Sequence, residues 1–192
     1  MLHIAIFASG KGSNAENLIN YFNLHSTAKV SLILSDRKEA GVFEIATNHK
    51  IDAIYLSTSL LKNPLAIIEI LYQHKIDFIV LAGYLKLMPI EVINAFPLRM
   101  INLHPALLPK FGGKGMYGIK VHEAVIESGE KETGITIHYV NGHYDEGDII
   151  FQTTTLVETD DTPQQIAKKI HELEHAYLPK IVEELLTNLK ER

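Results

Sequence analysis

Short apolar and β-branched segments alternate with helical segments along most of the chain, and this alternation restricts the fold more than any other feature. We predict strands at residues 3–8, 30–34, 52–56, 78–82, 100–103, 134–140 and 149–156. Helices are predicted at residues 14–22, 39–49, 64–74, 89–95 and 120–128. Strands that are separated by helices form βαβ units, and successive units build a parallel sheet.

The order of elements changes toward the C-terminus. Residues 132–157 contain two consecutive strands joined by residues 141–147, which predicts an antiparallel addition at the sheet edge. Thr162 is placed to cap a final helix with Pro163 in its first turn, and this helix runs toward Arg192 with a kink expected at Pro179. The elements together predict a single-domain, Rossmann-like α/β fold over residues 1–192, with a mostly parallel twisted sheet of about seven strands flanked by helices.

Composition and charge exclude several classes of partner. The 192 residues are 46% hydrophobic, which is enough for one sizeable core. The formal net charge is −5 and no apolar run approaches the roughly 20 residues that span a bilayer, so neither a nucleic acid nor a membrane is an expected partner. Cysteine is absent and residues 1–10 are interpreted as a first strand rather than a signal peptide, so a cytoplasmic location is expected.

The segment 102–109, Asn-Leu-His-Pro-Ala-Leu-Leu-Pro, carries the strongest chemical signal. The apolar run 96–101 is interpreted as a buried strand reaching its carboxyl end, where open α/β sheets bind their ligands. Asn102 and His104 share one face of such a strand, and an amide beside an imidazolium suits acyl transfer because the two can hold an oxyanion and supply a proton. The alternative is a core histidine bonded to a backbone partner.

Asp145, in the connection 140–147, is a candidate partner for His104 because the strand ends converge in such a fold. A carboxylate beside an imidazole favours the charged form, so this pair predicts a cationic His104 near neutral pH. His143 and Glu146 compete for the same role, and a solvated turn is the alternative for each of them.

Residues 9–14, Ser-Gly-Lys-Gly-Ser-Asn, connect the first strand to a helix. Their main-chain N–H groups are expected to cradle an anion at the positive end of the helix dipole, and a single phosphate is the expected ligand because neither nucleotide-binding glycine motif is present. Lys11 either adds charge to that site or is simply solvated. The alternative is a tight turn in which Ser13 and Asn14 cap the helix.

His171 and His175 match the zinc-binding H-E-x-x-H spacing, which by itself would indicate a metallopeptidase. A third ligand would have to come from elsewhere in the chain. The alternative is a helix whose core face is formed by Ile166, Ile170, Leu173, Tyr177 and Ile181. His138 is interpreted as a strand residue that is hydrogen-bonded inside the sheet or at its rim.

These motifs resemble those of the phosphoribosylglycinamide formyltransferase family, folate-dependent enzymes of purine synthesis. The resemblance covers nearly the whole chain and is carried by residues 9–14, 80–84, 101–109, 134–140, 144–147 and 174–176. It implies direct formyl transfer from the co-substrate 10-formyltetrahydrofolate to the amine of glycinamide ribonucleotide, through a tetrahedral intermediate and without a metal. A formyltransferase acting on an amino sugar nucleotide or another amine would share the central motif and stays open.

The resemblance also implies roles for particular positions. The catalytic residues are Asn102, His104 and Asp145. The substrate-binding residues are Gly12, Ser13 and Asn14 at the phosphate, Glu174 at the ribose, and Pro105. The folate-binding residues are Leu85, Lys86, Leu87, Met88, Asn102, Val140, His143 and Asp145. Residues 1–99 then form a phosphate- and substrate-binding half and residues 100–192 a catalytic and folate-binding half, in a monomer or a homodimer.

Two positions depart from the family pattern. Lys62 stands near the place where an arginine commonly meets the folate tail, and His171 stands where a glutamine is common. The folate-tail contact and part of the ribose contact are therefore left unassigned.

Overall fold

The computed structural model describes residues 1–190. Within that range the strands are β1 (Leu2–Phe7), β2 (Ala28–Ser35), β3 (Asp52–Tyr55), β4 (Phe78–Ala82), β5 (Met100–His104), β6 (Glu132–Tyr139) and β7 (Ile149–Leu156). The helices are α1 (Ser13–Leu24), α2 (Val42–His49), α3 (Thr58–Leu61), α4 (Pro64–Gln73), α5 (Ile90–Ala95), α6 (Ile119–Glu127) and α7 (Pro163–Lys190).

The strands form one sheet in the order β3-β2-β1-β4-β5-β6-β7. Neighbouring strands from β3 to β5 pair in parallel, whereas β6 is antiparallel to β5 and β7 is antiparallel to β6. The predicted fold class, including the antiparallel addition, is therefore confirmed. Because the order of the parallel strands reverses between β1 and β4, a crevice is expected at their carboxyl ends.

The central strands are buried on both faces, as a parallel sheet covered by helices requires. Successive residues of β1 alternate between two apolar layers. Ile4 and Ile6 pack in a cluster with buried residues of α1, α6 and α7, and Ala5 and Phe7 pack in a second cluster with residues of α4 and α5. This two-layer core fixes the strand ends, from which the connecting segments project.

Several element boundaries differ from the predictions, and one helix is additional. Residues 96–99 do not belong to β5, because the Arg99 N–H donates to the Phe96 carbonyl (3.0 Å) and Leu98 is left-handed (φ 56°), which closes a turn. Helix α2 begins at Val42 rather than at residue 39, after a turn closed by the Ala40 N–H and the Arg37 carbonyl. Helix α3, a single turn, was not expected.

The final helix begins as predicted. The Thr162 hydroxyl accepts a hydrogen bond from the Gln165 N–H (3.3 Å), and Pro163 is the first helical residue. Pro179 lies inside the helix, and a kink there stays a prediction. The last two positions of the predicted helix, residues 191 and 192, lie outside the described residues. Across residues 1–190 no helix has both the length and the apolar character needed to cross a membrane.

Candidate active site

A cavity of about 1280 Å³ opens at the carboxyl ends of β1, β4 and β5. Segments that are far apart in sequence line it: residues 10–14, 82–86, 102–105, 113–119, 122, 144–145 and several positions of α7 between 167 and 174. It therefore contains the predicted phosphate loop, the predicted catalytic residues and the predicted ribose-binding glutamate, which are far apart in sequence.

The three predicted catalytic residues meet at one wall of this cavity. The Asn102 amide nitrogen donates to Oδ1 of Asp145 (3.2 Å), and Nδ1 of His104 lies 3.5 Å from Oδ2 of the same carboxylate. Asn102 and His104 are two residues apart on β5 and so share one face, as expected. The β6–β7 connection brings Asp145 to them.

His138 is the fourth member of this cluster. It pairs with Asn102 across the antiparallel β5–β6 ladder. Its Nδ1 is 2.8 Å from the Tyr139 carbonyl and must donate to it, so its Nε2 is the acceptor for the Asn102 amide at 3.0 Å. Both hydrogens of the Asn102 amide are therefore already used, one by His138 and one by Asp145.

The segment after β5 holds the other side of the cluster. Nε2 of His104 donates to the Phe111 carbonyl (2.8 Å), and the Gly113 N–H donates to Oδ2 of Asp145 (2.8 Å). A Cβ on Gly112 would lie 2.5 Å from Leu108 Cδ2 and 3.2 Å from Asp145 Cβ. A side chain at position 112 would therefore require Leu108 or Asp145 to shift.

The charge state of His104 differs from the prediction. Burial lowers the pKa of His104, and the Asp145 carboxylate and the Phe111 carbonyl, which raise it, do not compensate. At 3.5 Å the carboxylate is farther away than the roughly 2.7–2.9 Å of a charge-assisted hydrogen bond. The expectation of a cationic imidazole near neutral pH is therefore wrong for the unliganded protein, in which His104 is neutral.

Asp145 remains ionised in the same surroundings. Burial by itself raises the pKa of its carboxyl group, but its polar neighbours, His138, His104 and the Gly113 N–H, outweigh that effect and lower it. The cluster in the unliganded protein thus combines a carboxylate, a neutral imidazole and a fully engaged amide.

The predicted phosphate loop leads into the N-terminus of α1 at the cavity. Gly12 is the N-cap of α1 with a left-handed backbone (φ 86°), and a Cβ there would lie 2.7 Å from Val42 Cγ2. The first N–H groups of a helix have no partner inside the helix, and those of α1 begin at the cavity. No side chain caps this helix, so the alternative in which Ser13 and Asn14 act as caps is wrong.

Glu174, on α7, contacts the predicted phosphate loop through Asn14. The Asn14 amide donates to Oε2 of Glu174 (2.9 Å), and Nδ1 of His171 lies 3.4 Å from the same oxygen. Among residues 1–190, no three or more His, Asp or Glu side chains are grouped so as to hold a metal ion. Nothing in this geometry favours the metallopeptidase alternative.

The predicted folate-binding residues are only partly brought together. Leu85 and Lys86 line the cavity with Asp145, whereas Leu87 is 42% exposed and Met88 is 3% exposed within the core. Val140 packs against the same core layer as Met88. His143 is exposed outside the cavity lining, its N–H bound to Asn141 Oδ1. Lys62 is exposed at the end of α3, and Pro105 lies in the lining.

Comparison with known proteins agrees with this geometry. Residues 2–182 match the family model described as formyl transferase. A phosphoribosylglycinamide formyltransferase of Bacillus subtilis (strain 168) is 35% identical over 191 residues, which are 97% of this chain and 95% of that protein. The chain belongs to the phosphoribosylglycinamide formyltransferase family.

Another member of the family, the chloroplastic enzyme of Arabidopsis thaliana, is 40% identical over 185 residues. The chain spans 63% of the length of that protein and 60% of the chloroplastic enzyme of Vigna unguiculata. The solved glycinamide ribonucleotide transformylase 1 of Symbiobacterium toebii superposes with a TM-score of 0.89 at 29% identity, covering 98% of this chain and 89% of that one. The phosphoribosylglycinamide formyltransferase of Bacillus halodurans gives 0.85 at 34%, covering 96% and 95%.

Two contributions to the site in this family member were missed from the sequence. His138 was interpreted as a hydrogen-bonded strand residue, which is correct, but its contact with Asn102 depends on strand register. The Phe111 carbonyl carries no side-chain signal at all. A histidine in the strand after the catalytic segment was the only available indication of the first, and nothing indicated the second.

Proposed function

We propose that this protein transfers the formyl group of 10-formyltetrahydrofolate to the amine of glycinamide ribonucleotide, in purine synthesis. One observation carries the proposal: Asn102, His104 and Asp145 meet in the same cavity as the N-terminus of α1. Acyl transfer chemistry and an anion anchor thus share one space. The names of the relatives support glycinamide ribonucleotide as the substrate.

The reaction is a direct transfer between two nitrogens. The substrate amine attacks the formyl carbon, a C–N bond forms and the carbonyl oxygen becomes anionic. The bond to the folate nitrogen then breaks as that nitrogen gains a proton and the attacking nitrogen loses one. His104 carries this proton, and the Asp145 carboxylate stabilises the imidazolium that forms in between.

The resting contacts define what must change when substrates bind. Nε2 of His104 exchanges the Phe111 carbonyl for a substrate nitrogen, and the ring hydrogen moves to Nδ1 beside Asp145, so that Nε2 can take a proton from the attacking amine and pass it to the folate nitrogen. One Asn102 hydrogen leaves His138 or Asp145 to reach the substrate oxygen. A donor to a developing oxyanion is worth roughly 3–4 kcal/mol, which makes the second exchange favourable in the transition state.

Binding energy from distant parts of the substrates supplies orientation. The N–H groups at Gly12, Ser13 and Asn14 hold the phosphate, Glu174 accepts hydrogen bonds from the ribose hydroxyls, and Pro105 contacts the same substrate. Holding amine and formyl carbon at attack distance can contribute about 7–11 kcal/mol. A phosphate anchor remote from the reacting atoms is therefore part of catalysis.

The folate lies against the other wall of the cavity. Leu85 and Lys86, which line the same cavity as Asn102 and Asp145, contact the pterin directly. The other predicted folate-binding residues act indirectly, by shaping the two segments that border the folate site. These residues are Leu87, Met88, Val140 and His143. This part of the proposal rests on the family resemblance together with the position of these segments at the cavity.

The two halves of the chain, the oligomeric state and the cellular location of the protein also belong to the proposal. Glu174 contacts Asn14, and residues 85 and 86 lie in the lining, so both halves of the chain, 1–99 and 100–192, contribute to each ligand. We propose a monomer or homodimer in the cytoplasm, as suits a relative from a bacterium, although two plant relatives are named chloroplastic. Light scattering after size-exclusion chromatography distinguishes the two oligomeric states.

Formyl transfer from 10-formyltetrahydrofolate tests the proposal. Purified protein is assayed with glycinamide ribonucleotide, with the analogue that lacks the phosphate, and with an amino sugar nucleotide. We expect product with the first, a KM at least about 10-fold higher for the second because the anchor is lost, and no product with the third. Formylation of the sugar nucleotide without formylation of the ribonucleotide would contradict the assigned acceptor.

A further inference from the structure

His122, on α6, is a second buried histidine of the cavity to which nothing above gives a function. It is 5% exposed and lines the cavity together with His104 and Pro105. A buried polar side chain that faces a ligand cavity needs a partner, because a donor or acceptor left without one destabilises the protein by about 1–3 kcal/mol.

One ring nitrogen of His122 lacks a hydrogen-bond partner within the described part of the chain. Its Nδ1 is shut off from solvent and has no hydrogen-bond partner among residues 1–190. By contrast, Nε2 of His104 donates to the Phe111 carbonyl, and both ring nitrogens of His138 have a hydrogen-bond partner within 3.0 Å. His122 thus differs from the two imidazoles of the catalytic cluster.

The surroundings of His122 determine its protonation and its tautomer. Burial, and secondly the neighbouring His104, lowers the pKa of His122 to about 4, so the ring is neutral at pH 7. Among buried main-chain groups, unpaired N–H donors are rarer than unpaired carbonyl acceptors, and we apply the same preference to the imidazole. The sealed Nδ1 is therefore the bare nitrogen, and Nε2 carries the single hydrogen.

The oxyanion of the proposed reaction lacks an uncommitted donor in the catalytic cluster. Both Asn102 hydrogens are engaged, by His138 and Asp145, and the Nε2 hydrogen of His104 is engaged by Phe111. Each of these donors must give up a protein partner before it can serve the substrate. A neutral N–H with no competing protein partner has no such requirement.

We propose that His122 is a catalytic residue whose neutral Nε2–H donates a hydrogen bond to the formyl oxygen as it becomes anionic. This inference rests on the proposed formyl transfer. A neutral imidazole suits the role because it stabilises negative charge without giving its proton away, whereas His104 is left to move the proton between the two nitrogens. No additional reactant is needed.

Kinetics of His122 variants test the proposal. In His122→Leu we expect kcat to fall by about 10²-fold, the effect of removing one oxyanion donor, with both KM values within about threefold of the parent protein. His122→Gln keeps an N–H donor and is expected to recover at least 10-fold of that loss. Glu123→Gln, an exposed neighbour on the same helix, is the matched control with unchanged kinetics.

The outcomes separate the two proposals. A parent protein that forms no product overturns the proposed function and the role of His122 with it. An active parent with an unimpaired and folded His122→Leu overturns the role of His122 alone. If His122→Leu fails to fold, His122→Gln decides: a kcat loss as large as 10²-fold in a folded protein, or a displaced pH profile of kcat, shows that His122 is not a neutral donor.

Discussion

At the scale of single residues, Asn102 and His104 are both held by protein partners that the reaction has to replace. The Asn102 amide donates to His138 and Asp145. Nε2 of His104 donates to the Phe111 carbonyl, and its Nδ1 lies 3.5 Å from Asp145. Such a network fixes each side chain in one orientation. Some of its hydrogen bonds must be replaced when the substrates bind. Asp145 lies next to both Asn102 and His104, so its charge is the most informative one to change.

Replacing Asp145 by Asn tests that charge. The carboxylate raises the pKa of His104 against the effect of burial, so its removal should lower that pKa further and weaken the imidazolium that the reaction requires. We expect a loss of kcat of about 10²–10⁴-fold. NMR titration of His104 measures the pKa, and an unchanged value with full activity would remove Asp145 from the site.

At the scale of elements, the site is made of chain segments that leave the carboxyl ends of strands. The turn before α1 supplies N–H groups, the segment after β4 supplies Leu85 and Lys86, and the β6–β7 connection supplies Asp145. Two of these segments are joined directly, because the Leu87 N–H donates to the Tyr144 hydroxyl (3.1 Å). Glycines occur where side chains would block these close approaches.

The turn before α1 can be tested with a matched pair of glycines. Gly12→Ala places a Cβ 2.7 Å from Val42 in a left-handed conformation, whereas a Cβ at Gly10 meets nothing within 4 Å. We expect Gly12→Ala to lower the free energy of unfolding by on the order of 3 kcal/mol and to raise the KM for the phosphorylated substrate. Urea unfolding and kinetics measure both, and equal effects in Gly10→Ala would refute the argument.

The contact between the two segments that we propose to face the folate leads to a separate prediction. Tyr144→Phe removes the hydroxyl that accepts from Leu87, a neutral hydrogen bond worth about 0.5–1.5 kcal/mol, so the KM for 10-formyltetrahydrofolate should rise about 2–10-fold. The KM for glycinamide ribonucleotide should stay constant. Tyr55→Phe, on exposed β3, is the control, and an equal rise in both KM values would argue against a specific role in folate binding.

At the scale of the whole molecule, one sheet covered on both faces holds the site but also buries ionisable groups. His104 and His122 both have pKa values lowered by burial, and both lie at the cavity. A histidine with a lowered pKa binds fewer protons in the folded than in the unfolded protein. Stability is therefore lost as the pH falls below the unfolded value near 6.5.

Acid denaturation measures this effect. For His122 the loss should begin near pH 6.5 and be complete near pH 4, with a magnitude of about 3 kcal/mol. His122→Leu should flatten the decline of the free energy of unfolding over that window. Urea titrations at several pH values test this, and a decline as steep as that of the parent protein would show that His122 titrates normally.

Local patterns in the sequence were enough to predict most of the fold and to select Asn102 and His104 as candidate site residues. The strands were found because alternation between β-branched runs and helical runs is a property of neighbouring residues. The capping of α7 by Thr162 was likewise predicted correctly because it depends on a few consecutive residues. The anion cradle before α1 stays a prediction. Asn102 and His104 share a face because side chains alternate along any strand.

The remaining features depend on contacts between distant segments, which no local pattern contains. The register of β5 with β6 sets His138 beside Asn102, and the path after β5 brings the Phe111 carbonyl to His104. The charge state of His104 was mispredicted because an adjacent carboxylate can be guessed from sequence, whereas burial is decided by everything packed around the ring. Residue types and their spacing thus fixed which groups are present, and tertiary packing decided how each is protonated and bonded.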